Sequence, residues 1–390
     1  MSTSIPPPQS QSQPTIIPSI PIPEPKFLTL PHKPDSPISY TFIPSSSSSS
    51  SFSSSNKDED KNKNTNTNNR NLILFLNGLG LPAESWIPSI KILLGKRGFG
   101  AGEGGEKWKE DGYPAILTYD RFGQGLTTSR DPLDGTVGRE RGHTLKDMVR
   151  DLEELLRVVV TTHISISHSS QEQEANKEDG IRLLIVGASI GVPLLRLYAS
   201  SPTRPFPLSG ALLLDSNIAN TAYSSILPAP DSPAFTSNPE RYLGGECSEP
   251  ECSEPECTIE EYTTSRGIFV RMFDFDVPNK EGLDRRSSPD LLPSSMGPRL
   301  DGGGGVEMTV VGHDSGVFIE GSWERVGVHR RVGFLVDRFW KQYNQDLTQL
   351  TTPEKCRGPI IAKGCGHFIQ EDDPGFVAEE VWGLMARLGW

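Results

Sequence analysis

Short apolar runs alternate with amphipathic segments along most of this chain. The apolar runs predict buried strands at residues 72–76, 115–119, 183–186, 211–214, 307–311 and 359–362. Between them, apolar residues recur at helical spacing, most clearly over 143–160. Strands that alternate with helices predict a mostly parallel sheet covered by helices on both faces. Two further extended runs within residues 27–44 bring the predicted sheet to eight strands.

Segments of low complexity or without periodicity divide the chain. Residues 1–25 are rich in Pro, Ser and Gln and are expected to form a disordered tail, which leaves one domain over 26–390. A Ser/Asn-rich insertion at 45–71 interrupts that domain, as a surface loop tolerates because loop entropy grows slowly with length. Residues 216–301 break the alternation after the sixth strand and predict a partly disordered insertion there.

The clearest chemical signal lies at the end of the strand at 183–186. The sequence Gly187-Ala188-Ser189-Ile190-Gly191 follows this strand directly and begins a helix directly. Such a sharp strand-to-helix turn is typical of a nucleophile elbow, where small residues tolerate the strained backbone. It predicts that the Ser189 hydroxyl projects above the sheet, with the N–H groups of the helix start nearby.

Five stretches carry a resemblance to a known family: LILFLNGLGLPAESW, AILTYDRFGQGLTTSRDP, LLIVGASIGVPLLRLYA, LLLDS and IIAKGCGHFIQEDDPGFV. In this order they resemble the α/β-hydrolase superfamily, in particular its esterase and epoxide-hydrolase-like branch. The resemblance implies a serine-nucleophile hydrolase whose cap is the insertion at 216–301. Epoxide hydrolysis and dehalogenation fit poorly, because those branches use a carboxylate nucleophile where this chain has Ser189.

A hydroxyl nucleophile needs a base, and the base needs an orienting acid. His367, after the last strand, stands in the family order and is the predicted base. The resemblance favours Asp314, at the end of the seventh strand, as the acid. Asp215, at the end of the sixth strand, stays the alternative, because some members of the superfamily draw their acid from there. His313 is expected to be a bystander.

Two backbone N–H groups are expected to form an oxyanion hole for the reaction. One belongs to Ile190, the residue after the nucleophile. By resemblance the other belongs to Leu79, in the loop after the strand at 72–76. Asn77 stands where relatives usually have His, so it departs from the family pattern and is expected at most to orient the loop.

The predicted function is therefore cleavage of a carboxylic ester, thioester or amide of a small or lipophilic acid through an acyl-enzyme. Two alternatives stay open at this point: acyl transfer or carbon–carbon bond hydrolysis by the same Ser-His-Asp set, and a catalytically silent hydrolase-fold binding protein, since a fold does not imply a function. The sequence contains no pattern that selects the natural substrate or the oligomeric state.

Composition narrows the classes of partner. The net charge of −12 argues against nucleic acid, because phosphate binding needs clustered Lys and Arg. The most apolar run, 183–195, is too short for a transmembrane segment, for which about 20 residues are needed. No secretory signal is recognised at the start, and an odd number of cysteines, 5, offers no disulfide framework. A cytoplasmic location is therefore expected.

No cofactor or metal is predicted. Residues 100–105 fit G-x-G-x-x-G, but no strand precedes them, so nucleotide binding is not expected there. Cys247, Cys252 and Cys257 are spaced by five in a Glu-rich repeat, wider than the usual spacing of thiolate ligands. The repeat is interpreted as a short expansion in a solvated loop.

Overall fold

The computed structural model describes residues 21–45, 70–96, 113–164, 180–244, 256–300 and 305–390. Most of the predicted tail at 1–25 and of the insertion at 45–71 lies outside these ranges. So do the Gly-rich run at 100–105 and the first two cysteines of the repeat.

The eight-stranded sheet confirms the predicted fold class. Its strands are β1 Lys26–Leu30, β2 Lys33–Ile43, β3 Asn71–Leu76, β4 Ala115–Tyr119, β5 Arg182–Ala188, β6 Leu208–Leu214, β7 Glu307–His313 and β8 Cys356–Ala362. They lie in the order β1-β2-β4-β3-β5-β6-β7-β8. The β1–β2 and β2–β4 pairs are antiparallel, and every other pair is parallel.

Helices follow most of the parallel strands. The longer ones are α1 Ile87–Gly95, α2 Leu145–His163, α3 Gly191–Ser200, α7 Ile259–Phe273, α9 Ser315–Val326, α10 Arg330–Leu347 and α12 Pro374–Arg387. The short helices are α4 Tyr223–Ile226, α5 Pro233–Thr236, α6 Pro239–Leu243, α8 Ser288–Leu291 and α11 Ile369–Asp372. The helices α4 to α8 belong to the β6–β7 segment, residues 215–306. None of the helices in the described ranges has the length and apolar character needed to cross a membrane.

The alternation along β3 shows how the core is divided by the sheet. Leu72, Leu74 and Leu76 join a cluster with the apolar residues of α2, α3 and α10. Ile73 and Phe75 face the opposite way, into a second cluster with α1 and α12. Because successive strand residues point to opposite faces, a fully buried strand must be apolar at every position. The continuous apolar runs of the sequence reflect this double burial.

The apolar face of α2 was clear from the sequence, and its start is fixed by a capping box. The Thr144 hydroxyl accepts from the Asp147 N–H, while the Asp147 carboxylate accepts from the Thr144 N–H. The cap places the first helical residue at Leu145, two residues after the predicted start at 143. The parallel pairing of β3, β5, β6, β7 and β8 places their carboxyl ends at one edge of the sheet, where the predicted site residues lie.

Candidate active site

Two residues at the carboxyl ends of adjacent strands have a strained backbone. Ser189 follows β5 with φ of 52°, and Asp215 follows β6 with φ of 39°. Within the described ranges, they are the only residues other than glycine with positive φ. A left-handed backbone at such residues costs on the order of 1–3 kcal/mol and is concentrated at functional sites. The strained backbone therefore makes Ser189 and Asp215 candidates for residues of one functional site.

Close backbone packing explains the two glycines that flank Ser189. A Cβ on Gly191 would lie 2.6 Å from the Leu76 carbonyl oxygen, and a Cβ on Gly187 would lie 2.9 Å from the Gly191 backbone. No side chain fits at these distances. The Ser189 N–H donates to the Leu214 carbonyl at 3.1 Å, which ties the turn to the end of β6. The local sequence thus forms the sharp turn that its pattern predicts.

A continuous chain of contacts joins Ser189, His367 and Asp215. The Ser189 Oγ lies 3.0 Å from Nε2 of His367. On the other side of the ring, Nδ1 of His367 donates to Oδ2 of Asp215 at 2.6 Å. Asp215 is fully buried, whereas the His367 side chain stays 12% exposed. A hydroxyl, an imidazole and a carboxylate are thus connected by two consecutive hydrogen bonds.

The preferred acid of the sequence analysis, Asp314, lies outside this chain of contacts. Its carboxylate accepts from the Gly316 N–H at 3.0 Å, as the N-cap of α9, and from the Gly364 N–H at 3.1 Å. These backbone donors hold the pKa of Asp314 below its ordinary value. In this geometry the carboxylate in contact with His367 is that of Asp215, the alternative of the sequence analysis, whereas the preferred Asp314 caps a helix and a turn.

Asp215 is held by several donors besides His367. Nδ1 of His313 lies 2.8 Å from Oδ2, and Nδ2 of Asn344 donates to Oδ1 at 3.1 Å. Burial alone would raise the pKa of Asp215, but the charge and hydrogen bonds of His313 and His367 outweigh it and hold the pKa well below the ordinary range. Asp215 is therefore ionised at neutral pH.

His313, expected to be a bystander, is a residue that sequence reasoning missed. Its ring donates from Nδ1 to Asp215 and from Nε2 to Oδ1 of Asp337 at 2.9 Å. The Asp337 carboxylate also accepts from Ser315 Oγ and lies 3.4 Å from Nζ of Lys341. Burial would lower the pKa of His313, but the two carboxylates raise it to about 9. A cationic imidazole thus bridges two buried aspartates.

Replacing His313 by Gln is expected to flatten the pH dependence of the free energy of unfolding between about pH 6.5, the ordinary His pKa, and pH 9. Because the folded-state pKa is raised, the stabilisation is complete below the unfolded-state pKa and is lost as the pH rises through about 9. The shift corresponds to on the order of 3 kcal/mol. Urea denaturation of both proteins at a series of pH values measures the difference.

His163→Gln is the control for this experiment. Burial lowers the pKa of His163, so any contribution of this residue changes on the acid side instead. Equal slopes for the wild type and His313→Gln between pH 6.5 and 9 would contradict the assignment of a cationic His313.

The two predicted oxyanion donors lie in turns beside Ser189. Ile190 is the N-cap of α3, and Leu79 follows Gly78, whose added Cβ would be 3.5 Å from the Ser189 Cβ. Within the described ranges, neither the Ile190 nor the Leu79 N–H donates to another residue. Both amides therefore lack an acceptor within the described part of the chain.

Asn77, the departure from the family pattern, has a structural part in this loop. Its Oδ1 accepts from the Trp86 indole at 2.8 Å, and its Nδ2 donates to the Tyr119 carbonyl at 2.9 Å. With 1% of its surface exposed, Asn77 ties the loop after β3 to the end of β4. These contacts agree with the expectation that Asn77 orients the loop after β3.

One group of potential metal-binding side chains occurs in the described part of the chain. Donor atoms of Cys257, Glu261 and His329 lie within 4.8 Å of one another. Each of the last two caps a helix: Oε2 of Glu261 accepts from Thr258, and Nδ1 of His329 accepts from the Arg331 N–H. A neutral His329 ring with Nδ1 as acceptor carries its proton on Nε2, where a metal would bind. Glu261 and Nδ1 of His329 therefore already serve as helix caps.

Comparisons with known proteins agree with this architecture. A doubly wound sheet with a serine at a strained turn after a central strand is typical of hydrolases. The family model of the alpha/beta hydrolase family matches residues 73–380, and the chain belongs to this family. No curated protein matches the sequence.

Solved structures with a similar fold include enzymes of more than one activity. A carboxylesterase of the thaumarchaeon Nitrososphaera gargenis is 13% identical with a TM-score of 0.43, and 93% of this chain and 99% of that chain are covered. A laboratory-evolved potato epoxide hydrolase is 11% identical with a TM-score of 0.44, with coverage of 93% and 99%. The epoxide hydrolase of Vigna radiata is 11% identical with a TM-score of 0.44, with coverage of 93% and 98%.

Proposed function

We propose that this alpha/beta hydrolase cleaves a carboxylic ester, thioester or amide through an acyl-enzyme formed on Ser189. The observation that carries the proposal is the pair of contacts of His367, 3.0 Å to the Ser189 Oγ and 2.6 Å to Asp215. A serine at the elbow argues against epoxide opening, which in related enzymes starts from a carboxylate nucleophile.

In the proposed reaction, His367 takes the proton of the Ser189 hydroxyl while the oxygen attacks the substrate carbonyl. His367 then gives that proton to the leaving alcohol, thiol or amine. Water enters and attacks the acyl-enzyme while His367 takes its proton. His367 then returns this proton to the Ser189 oxygen as the acid is released. Asp215 accepts from Nδ1, which leaves Nε2 free to receive the proton and stabilises the imidazolium that forms.

The Ile190 and Leu79 N–H groups are proposed to stabilise the oxyanion of both tetrahedral intermediates. Ile190 belongs to the start of α3, where the helix dipole favours negative charge. Donors of this kind contribute about 3 kcal/mol each to the rate. The free N–H groups beside Ser189 support this part of the proposal.

Rapid mixing with activated p-nitrophenyl esters of increasing acyl length is expected to give a burst of one leaving group per chain, followed by slower turnover. The burst arises because acylation of Ser189 by an activated ester precedes a slower deacylation by water. Thioester and amide substrates of the preferred acyl group extend the panel and rank the leaving groups. The acyl length with the highest kcat/KM defines the acid that the site accepts.

The same experiment distinguishes the alternatives. Product analysis with an added alcohol or amine acceptor shows whether the acyl group goes to water or to the acceptor. A panel without any burst or turnover, together with no reaction with a fluorophosphonate, would support a hydrolase-fold protein without catalysis and contradict the proposal.

A further inference from the structure

We propose that Glu281, carried by the β6–β7 segment, is a positioning residue that orients the Leu79 N–H of the oxyanion hole. The inference rests on the proposed function of Ser189 and names a residue that the nucleophile, base and acid do not include. Glu281 lies 160 residues from Arg121 and is fully buried, yet its carboxylate reaches the loop after β3.

The Glu281 carboxylate accepts hydrogen bonds from two loops. Its Oε1 accepts from the Gly80 N–H at 2.6 Å and from Nε2 of Gln124 at 2.8 Å. Its Oε2 accepts from Nε of Arg121 at 2.9 Å. Gly123 allows this approach, because an added Cβ there would lie 2.9 Å from the Glu281 Cα. The β6–β7 segment is thus in backbone contact with the loop after β4.

Arg121 and Gln124 pass this restraint to the peptide before Leu79. Arg121 donates from Nη1 to the Asn77 carbonyl and from Nη2 to the Gly78 carbonyl, both at 2.9 Å. Gln124 donates from Nε2 to the same Gly78 carbonyl at 2.9 Å. Two buried side chains, together with the Leu81 N–H at 3.4 Å, therefore fix the direction of the Gly78 carbonyl.

The geometry of a peptide bond converts a fixed carbonyl into a fixed amide. The Gly78 carbonyl and the Leu79 N–H belong to one planar trans peptide, so they point in opposite directions. With the carbonyl directed at Arg121 and Gln124, the Leu79 N–H must point away from them. The next peptide is held as well, because Glu281 accepts its Gly80 N–H. Both peptides that flank Leu79 are thus restrained through Glu281.

The charge of Arg121 explains why a carboxylate stands at position 281. Arg121 is 5% exposed, and its guanidinium pairs with Glu281. Burial alone would lower the pKa of Arg121, but the contact with Glu281 raises it. Removal of one partner would leave a buried charge without its counterion. Arg121 can therefore hold the two carbonyls only while the β6–β7 segment supplies the carboxylate.

The test compares Glu281→Gln with Asp284→Asn in the full chain. Asp284 lies on the same segment, but its carboxylate pairs with the exposed Arg286. We expect Glu281→Gln to lower kcat for an ester about 10- to 100-fold with KM nearly unchanged, because loss of a whole oxyanion donor costs about 100- to 1,000-fold. The affinity for a boronic acid, which forms a tetrahedral adduct on serine, should fall in parallel. Asp284→Asn should match the wild type.

Two further variants keep the proposal falsifiable if Glu281→Gln does not fold. Arg121→Lys keeps the charge but loses the planar guanidinium that donates to the Asn77 and Gly78 carbonyls from two separate nitrogens. Gln124→Met removes a Gly78 donor without a change of charge. Both should lower kcat and boronic acid affinity together at temperatures well below their melting points.

The outcomes separate this inference from the proposed function. Wild-type protein without ester turnover overturns the proposed function. An active wild type with unchanged kcat in any folded variant of Glu281, Arg121 or Gln124 overturns the inference alone. A lower kcat with unchanged boronic acid affinity, or a loss that only follows the fraction of unfolded protein, overturns it as well.

Discussion

Replacement of Ser189 by Ala is expected to lower kcat/KM for ester hydrolysis by about 10⁵- to 10⁶-fold. Without the hydroxyl, His367 has no nucleophile to deprotonate, and no acyl-enzyme can form. The small remaining rate comes from substrate binding and from the oxyanion donors, which the substitution leaves in place. A fluorogenic ester with a low background rate measures the difference.

Ser201→Ala serves as the matched control, because Ser201 lies at the opposite end of α3 and its hydroxyl donates to Glu153. We expect this variant to stay within about threefold of the wild type, as is usual for surface changes away from a site. Activity of Ser189→Ala above about 1% of the wild type would contradict an acyl-enzyme on Ser189, since triad knockouts cost several orders of magnitude.

Asp215→Asn is expected to lower kcat by about 10⁴-fold. The same change of the triad aspartate has an effect of this size in chymotrypsin-like serine proteases. The amide of Asn no longer carries the charge that stabilises the imidazolium of His367. It also permits the wrong tautomer, in which Nε2 of His367 carries the proton and cannot accept one from Ser189. Steady-state kinetics near neutral pH measure the loss.

Asp314→Asn is the partner experiment and is expected to stay within about threefold of the wild type, because an Asn N-cap is nearly as good as Asp. The resemblance alone favours the opposite pair of results. Thermal unfolding of Asp215→Asn accompanies the assay, since His313 then faces only one carboxylate. A large loss in Asp314→Asn with an active Asp215→Asn would contradict the contacts on which the proposal rests.

Much of the fold could be predicted from the sequence because the parallel strands are buried on both faces. A strand such as β3 must then be apolar at each position, which produces a visible run. The helix α9 was missed. Its sequence SGVFIEGSWERV contains Gly316 and Gly321, which lower its helix propensity, and its start depends on the cap from Asp314.

The positions of Ser189 and His367 could be predicted because both depend on local sequence. The glycines around Ser189 and the turn before His367 are legible in the chain itself. The aspartate in contact with His367 could not be chosen in the same way, because two neighbouring strands are each followed directly by an aspartate. The choice depends on which backbone donors and imidazoles each carboxylate meets, and these come from distant residues such as Asn344.

His313 and Glu281 had no sequence signal for similar reasons. His313 has a second carboxylate partner only because α10 brings Asp337 to its Nε2 atom. Glu281 lies in a segment without periodicity, and its partner Arg121 follows a different strand. Contacts between elements that are far apart in the sequence decide both cases.

Mass spectrometry after reaction with a fluorophosphonate determines whether Ser189 is the nucleophile. We expect a single adduct on the intact wild-type chain, mapped after digestion to the peptide that contains Ser189 and absent from Ser189→Ala. No adduct on the folded wild type, or an adduct on another residue that persists in Ser189→Ala, would show that Ser189 is not the nucleophile.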